Sequence, residues 1–120
     1  MQKKLPTQCH LFQKEHLSSE DMYIQNTFEI LQTFIDDSHF RHSLLRCLQC
    51  GQLYFYEFQE EVDMVSGNDP QYSLYIPIQT EEEAKKITTM SHAELLQYSP
   101  RLHKDWPADA NEPSIYWIGR

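Results

Sequence analysis

Glycine and cysteine are scarce in this chain, with three of each among 120 residues. So few glycines assign Gly51, Gly67 and Gly119 to turns or a terminus, and leave no glycine-rich loop to cradle a phosphate. No run of about 18 apolar residues occurs, so no membrane-spanning helix is expected. Bases are also few: ten Lys and Arg against eighteen Asp and Glu give a formal net charge of −8. That field repels nucleic-acid phosphates and argues against such a partner. A nucleophile elbow, a Walker-type lysine and the H-E-x-x-H signature are all missing, and no enzymatic activity is expected. The basic start, Met1 to Pro6, lacks the following apolar core of a secretory signal. A cytoplasmic setting with reduced thiols is therefore expected.

What is present is enough for a core. Hydrophobic residues at 40% and aromatics at 12% argue against disorder, and the length suits a small single domain, 1–120, in which a staple would help. Residues 1–17 carry little periodicity and read as an N-terminal arm. Ser18-Ser19-Glu20-Asp21 supplies a helix start. Ile24, Phe28, Leu31 and Ile35, at spacings of three and four, predict a helix ending near Asp36-Asp37-Ser38. Leu53 to Met64 alternates as a long strand with Tyr54, Tyr56, Phe58, Val62 and Met64 on its core side. After the turn cluster Ser66 to Pro70, alternating Tyr72, Leu74, Ile76 and Ile78 predict its hairpin partner. Pro77 places that strand at an edge or ends it there. Thr80 with Glu83 and Ser91 with Glu94 have capping-box spacing and predict short helices over 81–88 and 92–98, burying Ala84, Ile87, Leu95 and Leu96. Three prolines make 100–113 an irregular arm, and 115–118 reads as a final strand. The expected fold class is α+β: an antiparallel sheet of three or four strands with helices packed on one side.

Cys47-Leu48-Gln49-Cys50-Gly51 is the most specific motif. Two cysteines two residues apart, closed by a glycine, let one turn aim two thiolates at one point, which is half of a tetrahedral zinc site. The turn resembles the knuckle of a zinc ribbon over about a dozen residues, although the second knuckle of that motif is missing. Cys9 is the remaining thiol, and His10 or His16 would supply the fourth ligand. Adjacent ligands at Cys9 and His10 are sterically awkward, which favours His16 or the later His39 and His42. A structural zinc ion is expected over a redox pair, which would place its first cysteine at a helix N-terminus, whereas here a strand follows; unligated thiols, acting as small buried hydrophobes, are the alternative. His39 and His42 read as surface residues, and His92 and His103 have no evident partner.

Glu57, Glu60, Glu61 and Asp63 lie along the long strand, with Asp69 in the turn beyond. Carboxylates two or four apart on a strand stand about 7 to 14 Å from one another, too far to share a hard cation without a second element. A solvated outer face is the plain explanation. The many amphipathic rings nearby, Tyr54, Tyr56, Tyr72 and Tyr75 among them, instead fit anchors for a basic protein partner. In size, charge and lack of catalytic motifs the chain is similar to the small acidic proteins, bacterial immunity proteins among them, that neutralise a basic toxin or nuclease. The resemblance implies that Glu57, Glu60, Glu61, Asp63 and Asp69 pair with the partner's lysines and arginines. The alternatives are a zinc-ribbon accessory factor of transcription or translation, and a metal-dependent enzyme using the same cysteines.

Overall fold

From Phe28 onward the chain is rich in β-branched and aromatic residues and folds chiefly as strands. The computed structural model describes residues 9–62, 65, 67 and 69–119. Six strands, β1 (Phe28–Asp37), β2 (Phe40–Cys47), β3 (Leu53–Glu60), β4 (Gln71–Ile78), β5 (Arg101–Trp106) and β6 (Ser114–Ile118), pair in sequential order as one antiparallel sheet. The sequence predicts three or four strands; the sheet has six.

The helix predicted from the cap at Ser18 to Asp21 through to about Asp36 forms only as a 3-10 turn (Ser19–Met22) and one further turn, and the reason is physical. A single turn, α2 (Ile24–Thr27), leads directly into β1. The β1–β2 register shifts between Ile30 and Gln32 and again between Thr33 and Ile35. Each bulge skips one residue and resets the alternation, so apolar residues recur at three and four rather than at two. The expected irregular arm over 100–113 is likewise corrected, because β5 fits between Pro100 and Pro107.

Helices do not pack on one side only. Tyr54 and Tyr56 of β3, with Leu45, Phe28 and Tyr75, are covered by the N-terminal segment through Cys9, Leu11 and Met22. That segment holds α1 (His10–Gln13), a 3-10 turn (Ser19–Met22) and α2. Phe55, Leu44, Leu74 and Ile76 face the opposite way, onto Ala84 and Ile87 of α3 (Glu81–Ile87) and Leu95 of α4 (His92–Leu95). Covering both faces buries four consecutive residues in each of β2, β3 and β4, a pattern more usual in sheets sandwiched between layers than in half-solvated ones. Each large side chain buried this way contributes about 1.5–3 kcal/mol. Phe28 adds ring contacts at 5.6 Å to both Tyr54 and Tyr75.

The two predicted capping boxes are present: Thr80 and Glu83 close the start of α3, Ser91 and Glu94 that of α4. The β3–β4 hairpin also forms, with Tyr56 opposite Tyr75. β4 is nonetheless interior. Pro77 is tolerated because β5 pairs only with Gln71 to Tyr75, so the proline lies past the end of that ladder.

Candidate functional site

Cys47 ends β2, and the chain reverses through Gly51 into β3. Gly51 has φ 83°, a conformation that strains any residue with a Cβ. Its N–H donates to the Cys47 carbonyl at 2.8 Å, and the Cys47 N–H donates to the Gln52 carbonyl, also at 2.8 Å. The N-terminal segment brings Cys9 to this turn. Leu11 is buried beside it, Trp117 Nε1 donates to the Leu11 carbonyl at 3.0 Å, and Phe12 meets the Trp117 ring edge-on at 5.0 Å. The Sγ atoms of Cys9, Cys47 and Cys50 all lie within 4.8 Å of one another and can hold a metal ion.

His10 reaches this cluster through Cys47, with Nδ1 3.6 Å from Cys47 Sγ. With Zn–S near 2.3 Å and Zn–N near 2.0–2.1 Å, tetrahedral angles place sulfur and nitrogen about 3.6 Å apart. The backbone passes from extended at Cys9 (φ −83°, ψ 135°) into the first turn of α1 at His10, so both neighbouring side chains approach the turn at Cys47. His16 is exposed. Burial pushes the Cys9 thiol up to about 12, partly offset by the Tyr54 hydroxyl, which donates to Cys9 Sγ at 3.0 Å. Burial also lowers His10, against the attraction of Asp21. Coordination reverses the preference of a buried thiol, because a metal cation binds and stabilises the thiolate.

The acidic residues of β3 are not one face. Glu57 is 2% exposed and sits on the helix side of the sheet. His42 Nε2 donates to its Oε2 at 2.8 Å and His92 Nδ1 to its Oε1 at 2.5 Å, while His42 Nδ1 meets Thr88 Oγ1 at 2.9 Å. Burial works against the Glu57 carboxylate, but the hydrogen bonds and charges of the two imidazoles hold it below the ordinary glutamate value. His42, expected at the surface, is buried as well. Glu60 bonds His39 Nδ1 at 2.9 Å and accepts from Gln71 Nε2 at 2.7 Å. Glu61 is exposed, Asp69 half-buried, and Asp63 lies outside the described residues.

Where β3, β4, β5 and β6 meet α4, a cleft of about 340 Å³ opens. Glu57, Glu61 and Asp105 line it with Tyr72, Tyr116 and His92. Tyr116 Oη donates to Asp105 Oδ2 at 2.5 Å, and its ring stacks on His103 at 5.0 Å. Burial, then the bonded carboxylate, pushes the Tyr116 hydroxyl up to about 12. Such a cleft can seat a cation between carboxylates and rings. Sequence reasoning counted Tyr116 among the amphipathic rings but missed Asp105; both reach Glu57 and Glu61 only through the β4–β5–β6 register. It missed the His42–Glu57–His92 bridge because β2–β3 register and the position of α4 bring the two histidines to Glu57. No protein-family model, curated protein or solved structure matches the chain.

Proposed function

We propose that this chain is a binding module for a basic protein, which it engages through the acidic cleft, on a scaffold clasped by a structural zinc ion. Cys9, Cys47 and Cys50 would hold the ion as thiolates and His10 Nδ1 as the fourth donor, a Cys₃His set typical of structural zinc. The observation that carries the binding role is the convergence of Glu61 and Asp105 with Tyr72 and Tyr116 in one cleft, whose floor Glu57 forms while bonded to His42 and His92. Carboxylates beside amphipathic rings suit the lysine and arginine side chains of a partner. Glu60 and Asp69 lie near the same β3–β4 end without lining the cleft, and the net charge of −8 speeds encounter with a positive partner. Neutralisation of a basic toxin or nuclease in the cytoplasm is the role that fits best.

Affinity capture from native-host extract tests the reading, with the E61K/D105N double variant as the subtractive control. A basic protein retained by the wild type, released by raised salt, inhibited when bound, and held at least about tenfold more weakly by the variant supports it. A partner whose affinity ignores both ionic strength and the two substitutions overturns it.

A further inference from the structure

The other face of the same sheet carries a cleft of opposite character. It encloses about 480 Å³ between the N-terminal segment and strands β3 to β5. Tyr23, Tyr56, Phe58, Tyr75 and Trp106 form much of its wall. Among the described residues that line it, Lys104 is the one charged side chain. Strand alternation explains the contrast: His103 and Asp105 line the acidic cleft, while Lys104 between them projects to this side, opposite Ser73.

Lys104 is half-buried, with Nζ 5.8 Å from the centre of the Tyr23 ring. Burial lowers its pKa, and among the described residues no carboxylate opposes that effect. In a chain with eighteen acids and ten bases, a partly desolvated ammonium facing aromatic walls without an acid is costly unless something else pairs it. Hydroxyls stand nearby: Ser73 bonds Tyr56 and also Tyr75. The volume is that of a small-molecule site, apolar in body with a few convergent polar groups.

We infer that this cleft binds a small aromatic carboxylate, whose ring packs among Tyr23, Tyr56 and Trp106 and whose anion pairs with Lys104. A carboxylate fits better than a phosphate, because a single ammonium with neutral hydroxyls lacks the several cationic or backbone donors that phosphate sites assemble. The site opens on the face of the sheet opposite the acidic cleft.

Titration of the full-length ¹⁵N-labelled protein with 2-naphthoate, followed by amide and indole shifts, tests the assignment. Saturable shifts at the Trp106 indole and at the Tyr23 and Tyr56 amides are expected. Binding should weaken by about tenfold or more for neutral 2-naphthylmethanol and for K104Q, and should persist in K104R. Absence of saturable shifts with millimolar 2-naphthoate overturns the assignment, and so does equal binding of the neutral alcohol. Both of those outcomes are read on the wild-type protein, so they hold even where a variant folds poorly.

Discussion

Glu57 shows how one side chain changes meaning between sequence and structure. Along the strand it stands beside Gln59 and Glu61 and reads as part of a solvated acidic run, yet it is sealed between His42 and His92. Nothing local signals this, because the two imidazoles come from β2 and α4, brought in by register and by a helix crossing. Removing the carboxylate strands a buried histidine, so E57A is expected to cost about 3 kcal/mol. E57Q, which keeps an acceptor, should cost nearer 1–2 kcal/mol. The pH dependence has a definite sign. The folded carboxyl titrates below its ordinary value of 4.5, so its contribution is full above that pH and fades as pH falls through the lowered folded value. Urea midpoints taken from about pH 7 to about pH 3 should therefore fall more steeply for wild type than for E57Q. At the metal cluster the local code was more open. The C-x-x-C-G turn names two candidate ligands and Cys9 is the sole thiol left, while the sequence leaves His10 and His16 open as the fourth; the structure sets His10 beside Cys47 and His16 at the surface.

At the scale of elements, legibility tracks how local the determining interactions are. α3 and α4 announce themselves because each capping box closes within four residues. T80A and S91A are each expected to destabilise by about 1 kcal/mol, additively in the double variant, as read from urea unfolding. β1 was misread because its two bulges mimic helical spacing, and β5 because flanking prolines mask a strand that they merely bracket. β1 also lies at a sheet edge and exposes Ile30 (54%) and Leu31 (44%). I30K should leave stability within about 0.5 kcal/mol while reducing concentration-dependent association, since charge on an edge strand discourages edge pairing. Light scattering against concentration checks this.

For the molecule as a whole, the sheet separates two chemistries. Its helix side gathers Glu57, Glu61 and Asp105, its other side Lys104 and aromatic rings. The N-terminal segment that covers the second side is tied to the sheet at Cys9, Leu11 and Met22, and the proposed zinc ion would lock that tie to the β2–β3 turn. Chelation and C50S remove the same restraint, so each is expected to lower the thermal midpoint by about 10 °C or more, with no further loss when combined. On the proposed zinc site, much of the scaffold's order would rest on Cys9, Cys47, Cys50 and His10. Elemental mass spectrometry of protein purified without chelator tests that dependence most directly. About one zinc per chain is the expected ratio, and a ratio near zero in well-folded protein would contradict it.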